Sequence, residues 1–218
     1  MYNRIKNYTI KNYDHIFLYV LFFLIGSLLV SMRGGFRWNS WGLILVSIVW
    51  LLGKANTYKI SSVYKDKFVL LHLTYFLLFL IGLLYTEHLK DAKHGIEVRL
   101  SFLALPLTIS SSAKIVKSNF NKILLVFIAA NFIGTLLLYA NGEQVFSDFL
   151  FMVSKLILHR PYFGMYIAFC IAILVYLISK SKNRLIQILY LVLIFYYLYF
   201  MFDIQVRMAT VALIFGGA

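Results

Sequence analysis

From Leu185 to Phe202 the chain carries no charged side chain, and Arg184 and Asp203 close the run on either side. At ~1.5 Å per residue such a block makes a helix close to the ~30 Å needed to cross a hydrocarbon core. Apolar blocks recur at about 15–32, 36–53, 68–86, 98–113, 123–141, 161–179 and 185–203, and an eighth begins near 206. Inside hydrocarbon, backbone amides must find partners within the protein, so spans are helices or strands of a closed barrel. The two-residue alternation of barrel strands is absent, which leaves helices. The expected architecture is therefore all-α: a polytopic bundle of seven to eight transmembrane helices, with 1–218 as a single integral-membrane domain.

Composition agrees. Of the 218 residues, 62% are hydrophobic and 13% charged, about half the usual charged share of a soluble domain. The formal charge of +13 could be read as a nucleic-acid footprint. Basic connectors between spans account for it more simply, and no nucleic-acid partner is expected. The single cysteine, Cys170, lies inside a span, which excludes an intramolecular disulfide and CxxC chemistry and leaves a small apolar packing residue. The N-terminal "MYNRIKNYTIKNYDH" precedes "IFLYVLFFLIGSLLVSM" in the order of a signal peptide, but Met32 and Arg33 follow where small residues would mark cleavage. An uncleaved first span is expected.

Orientation follows from the basic residues. With a cytoplasmic N-terminus the inside segments are 1–14, 54–67, 114–122 and 180–184, holding three, four, three and three of the 21 basic residues. Every inside segment is basic, as the positive-inside rule requires. The inside set is lysine-rich, with only Arg4 and Arg184, whereas the outer ends of spans carry Arg33, Arg37, Arg99, Arg160 and Arg207 beside Lys90, Lys93 and Lys155. A surface point charge suffices to anchor topology. A planar, always-charged fork suits phosphate or carboxylate near a low-dielectric boundary. The alternative is that these arginines snorkel to phospholipid headgroups.

The fourth block, "VRLSFLALPLTISSSA", opens with Arg99, carries Pro106 in its middle and ends in three serines. Proline frees a backbone carbonyl, which is tolerated where neighbours re-satisfy it. This helix is expected to face the bundle interior, with Arg99 at the lip of an outward-open cavity. Residues 142–160 show one polar stripe on an otherwise apolar helix, the pattern of an external segment lying in the interface. It would deliver His159 and Arg160 to headgroup level, with Pro161 in the first turn of the next helix. His159, Arg160 and Tyr162 are the densest polar cluster at an external span end. They fit either a binding site for sugar and phosphate or an ordinary interfacial belt.

Other polar residues have plainer readings. Glu87, His88, Asp91, His94 and Glu97 match no standard ligand motif and read as a solvated loop, so no metal is expected. His72 reads as an interhelical hydrogen-bonder, and Asn131 and Thr135 as helix–helix glue. No P-loop, GxGxxG, HExxH or Ser-His-Asp order appears, and no cofactor is implied.

Three stretches together resemble the O-antigen ligase and polymerase family of bacterial polytopic glycan ligases. "EVRLSFLALPL" (97–107) resembles that family's basic residue followed by an apolar run and a proline. "HRPYFGMYIAF" (159–169) resembles its His-x-x-Tyr entry to a middle span, and "VRMATVAL" (206–213) its later Ser-Arg segment. Val206 replaces the usual serine, and proline follows Arg160 rather than the histidine. The resemblance implies transfer of an oligosaccharide from undecaprenyl diphosphate at the periplasmic face of the bacterial inner membrane. The acceptor would be lipid A–core for a ligase, or a growing glycan for a polymerase. It further implies Arg99, Arg160 and Arg207 as diphosphate contacts, with His159 and Tyr162 orienting sugar or phosphate. The family continues through further spans and a large external loop bearing more catalytic residues. This sequence, which stops at "ALIFGGA", is thus expected to be an N-terminal portion, with the catalytic base expected beyond residue 218. The rivals from other classes are a polysaccharide transporter or flippase, and an inactive truncated membrane protein. A transporter would place ionisable groups at mid-membrane, where His72 is nearly alone.

Overall fold

The computed structural model describes residues 2–27, 38–52, 66–82, 85, 89–141 and 160–203. Among them every regular element is a helix: α1 (Tyr2–Ser27), α2 (Trp38–Leu52), α3 (Lys67–Gly82), α4 (Leu89–Ser111), α5 (Ala113–Ser118), α6 (Phe120–Asn141), α7 (Arg160–Lys180) and α8 (Arg184–Asp203). Three stretches are long and apolar enough to cross a membrane: Phe120–Leu137, Tyr162–Lys180 and Arg184–Asp203. Shorter apolar helices are Tyr13–Ser27, Ser40–Leu52 and Lys67–Gly82. The expected block beyond 206 and nearly all of the expected interfacial segment, 142–159, lie outside the described residues. By internal packing the chain divides into two units, 1–24 with 40–120 and 25–39 with 121–218.

In the second unit α7 is the central helix. Its buried positions Phe163, Ile167, Cys170, Leu174 and Leu177 follow each other at spacings of four and three, the seam of knobs-into-holes packing. Cys170 is thus the packing residue expected. α8 packs on this seam through Tyr197, Phe200 and Met201, and α6 contributes Ile128. The aromatic rings lock in edge-to-face pairs: Phe200 meets Phe163 and Tyr139 at centroid distances of 5.5 Å each. Two hydroxyls tie α8 to α6. Tyr197 Oη donates to the Ile128 carbonyl at 2.9 Å, and Tyr196 Oη donates to Thr135 Oγ1 at 2.8 Å. Thr135 is therefore the interhelical glue expected. Asn131 is not: Nδ2 donates to Phe127 of its own helix at 2.8 Å, and buried Oδ1 has no partner among the described residues.

The turn between α7 and α8 is short because its polar groups are used in place. Asn183 caps α8, its Oδ1 accepting from the Leu185 amide at 3.0 Å, and Gln187 Nε2 donates back to the Ser181 carbonyl at 2.8 Å. The outer face of α8 presents Ile188, Val192, Phe195, Tyr199 and Phe202, with Phe195 69% and Phe202 84% exposed. The outer stripe is thus as apolar as the inner one. A helix apolar all round is at rest in hydrocarbon and not in water.

In the first unit α3 and α4 pair as antiparallel neighbours. Asp66 meets Ser110 at one end, Tyr75 meets Phe102 midway, and Phe79 meets Arg99 at the other. Pro106, Thr108, Ser111 and Ser112 are all buried, so the proline- and serine-bearing half of α4 faces inward as expected. Trp50 Nε1 of α2 donates to Ser111 Oγ at 2.6 Å, and Ser111 in turn donates to the Leu107 carbonyl at 2.7 Å.

Two connectors differ from expectation. Residues 89–97, part of the stretch read as a solvated loop, form the first turns of α4, and 114–118, part of the inside segment 114–122, lie in α5. The reason is the same in both. Leucine, lysine, alanine and glutamate are strong helix formers, and polarity marks exposure rather than irregular backbone. α5 ends where the Asn119 amide and side chain both turn back to the Ile115 carbonyl, at 3.2 and 3.1 Å.

Candidate functional site

Arg99 is half-buried on α4, with its guanidinium carbon 4.0 Å from the Phe79 ring centroid of α3. One N–H, from Nη1, reaches the Gly95 carbonyl one turn back at 3.3 Å. Among the described residues no other hydrogen bond or ion pair involves this side chain, so most of the five donors of the fork are unspent. Gly95 makes the arrangement possible. A Cβ there would stand 3.0 Å from Phe79 Cζ and 3.1 Å from Arg99 Nη1, inside the space both groups occupy. The ring contact and the Gly95 carbonyl together hold the guanidinium in place.

In the second unit Arg160 opens α7, although its side chain lies outside the described residues. Tyr162, in the same first turn, is 59% exposed, while the adjacent Phe163 is fully buried. The core seam therefore turns Tyr162 outward. Phe163 meets Phe200, so the end of α8 lies beside the start of α7, and there Tyr139 Oη donates to Asp203 Oδ2 at 3.1 Å. This tyrosine–carboxylate pair was not read from the sequence. Tyr139 sits in an apolar run and Asp203 in a connector, and only helix packing joins them. His159 and Arg207 lie outside the described residues, and Arg99 belongs to the other unit. The side chains of Asp91, His94 and Glu97 are likewise outside the described set.

The far end of the α3–α4 pair is also polar. Asp66 is the N-cap of α3: Oδ1 accepts from the Phe68 amide at 3.0 Å, and Oδ2 accepts from Ser110 Oγ at 2.6 Å. The Ser110 hydroxyl, then the Phe68 amide, hold the Asp66 carboxyl below its ordinary range. An acid so depressed contributes stability above its unfolded-state pKa and loses it as pH falls through the folded value. Beside this cap a cavity of about 490 Å³ opens between α3 and α4, walled by Phe68, Phe102, Leu105 and Ile109. His72 lines it too, but not as the interhelical bonder expected: Nδ1 lies 2.8 Å from the Phe68 carbonyl of its own helix. A carbonyl only accepts, so the Nδ1–H donates in this contact. The pairing of Asp66 with Ser110 was not legible.

Fold and surface together define a helical protein of membrane character. No protein-family model, curated protein or solved structure matches this chain.

Proposed function

We propose that the chain acts in glycan transfer, in the manner of the O-antigen ligases that three of its segments resemble. An oligosaccharide would pass from undecaprenyl diphosphate to lipid A–core at the periplasmic face of the bacterial inner membrane. The carrying observation is Arg99: a guanidinium braced on Phe79, with one donor spent, at the head of the segment that carries the resemblance. An acceptor hydroxyl attacks the anomeric carbon, and the departing lipid diphosphate gains negative charge. Preorganised cations in a poorly hydrated site stabilise that charge without a nucleotide loop. The resemblance implies Arg160 and Arg207 as further diphosphate contacts, with His159 and Tyr162 orienting sugar or phosphate. The partners are then the lipid-linked glycan, its acceptor and the bilayer.

Deleting the gene in its own host tests this. The expected result is loss of high-molecular-weight surface polysaccharide on a gel, with unmodified lipid A–core and undecaprenyl-linked glycan accumulating in the periplasm. A single repeat attached to core would make the protein a polymerase instead. Glycan trapped on the cytoplasmic face would indicate a transporter, and an unchanged polysaccharide would remove the chain from this chemistry.

The proposal includes seven to eight spans with the N-terminus inside, supported by the basic content of all four inside segments. In a Cys170→Ala background, cysteines at Asn39, Lys93 and Gln144 are expected to react with an impermeant thiol reagent in intact spheroplasts. Reaction at Ser61 and Ser118 instead would invert the topology and move the arginine ends to the cytoplasm.

A further inference from the structure

We propose that the cavity between α3 and α4 is a binding site for one acyl chain of an aminophospholipid, its ammonium held by Asp66 and its phosphate by Lys117. The site is independent of the glycan-transfer reading. Thirteen residues of helix separate Asp66 from Phe79, so it lies ~20 Å along α3 from Arg99.

The walls and the mouth ask for different chemistry. Phe68, Phe102, Leu105 and Ile109 form an apolar slot, and its volume of about 490 Å³ is within the ~300–1,000 Å³ typical of small-molecule sites. The outer faces of these helices are apolar as well: Leu71 and Leu78 of α3 are 66% and 62% exposed. Phe68, Phe102 and Ile109 in its walls are themselves 61%, 46% and 40% exposed, so the slot is open on an apolar face and suits a hydrocarbon chain better than a polar solute. Its end is charged. Asp66 and Lys117 both line the cavity, yet no ion pair joins Lys117 to any described residue. Charges at the end of an apolar helix sit at headgroup level, because burying them in lipid is costly. A carboxylate and an ammonium at one mouth complement a zwitterion rather than an anion or a cation.

Hydrogen bonding narrows the zwitterion. Ser110 and the Phe68 amide each take one carboxylate oxygen of Asp66, the Val69 amide adds a third donor, and one of the four lone-pair sites remains. A primary ammonium donates to such a lone pair in a charge-assisted bond, whereas a quaternary ammonium has no N–H to give. The Lys117 side chain is exposed and free to swing over a phosphate, and three donors serve it. The lipid expected is thus phosphatidylethanolamine in preference to phosphatidylcholine of the same chains, and to anionic phosphatidylglycerol.

The test is native mass spectrometry of the full chain in mild detergent, titrated with these three lipids at matched acyl length. Wild type is expected to retain one phosphatidylethanolamine with about tenfold preference over the other two. Asp66→Asn keeps the cap and the fold but is expected to erase the preference over phosphatidylcholine. Lys117→Gln, an exposed change with no packing role, is expected to weaken all three phospholipids alike. Ile109→Trp, which fills the slot, is expected to abolish retention. Equal retention of the three lipids by wild type, or none, overturns the proposal. So does a preference that survives both charge variants, or retention that survives Ile109→Trp, in protein whose helicity matches wild type.

Discussion

Replacing Arg99 by lysine is expected to slow the proposed glycan transfer by about 10²–10³, equivalent to ~2–4 kcal/mol of transition-state stabilisation, while leaving protein level unchanged. Lysine conserves the charge and loses the planar fork, whose carbon lies 4.0 Å from the Phe79 centroid and which spends one donor on Gly95. Arg160→Lys is expected to behave alike, because the resemblance implies the same diphosphate contact for it. Gly95→Ala supplies an independent probe, because its Cβ would crowd Phe79 and Arg99 at 3.0 and 3.1 Å without touching any charge. It is expected to lower the rate in the same direction by displacing the guanidinium. The readout is surface polysaccharide on a gel, normalised to protein by immunoblot. A snorkelling arginine tolerates lysine, and a lipid-facing glycine tolerates alanine. Wild-type patterns from all three variants would reduce these residues to anchors and leave the glycan reading without its site.

Truncating Phe163 is expected to cost about 3 kcal/mol of stability, at the low end for a buried Phe→Ala change, because lipid rather than water solvates separated helices. Phe163 is fully buried and braces Phe200, which in turn braces Tyr139 beneath the Tyr139–Asp203 bond. Its loss opens a cavity under the first turn of α7, where Arg160 and Tyr162 stand. The control is Phe195→Ala, an equal truncation on the outer face of α8, expected to change stability by a few tenths of a kcal/mol at most. Unfolding of the purified protein in mixed detergent, followed by tryptophan fluorescence, compares the two. Equal losses from both would mean that the α7 seam does not organise this unit.

Much of the helical layout was legible beforehand, and unevenly. The blocks at 123–141, 161–179 and 185–203 reappear as α6, α7 and α8 within three residues at each end, because length and unbroken hydropathy decide them. The polar stretches 89–97 and 114–118 were misjudged as connectors, since charge reports exposure and not backbone geometry. Arg99 could be singled out from its place at a span end. Its partner Phe79, one of 20 phenylalanines, could not, nor could the need for glycine at 95.

Taken alone, the sequence determined that this chain is helical and at home in a membrane. Hydrocarbon gives the backbone no other partners, and apolar runs of that length have no other stable solvent. Which polar residues meet was decided only by tertiary packing. Asp66 finds Ser110, Trp50 finds Ser111, and Tyr139 finds Asp203 across separations of 44 to 64 positions. In a helix apolar on every side, composition does not mark which face turns inward. The four-and-three spacing on α7 becomes a seam only when Tyr197, Phe200 and Ile128 close on it, and that closure places Tyr162 on the outside.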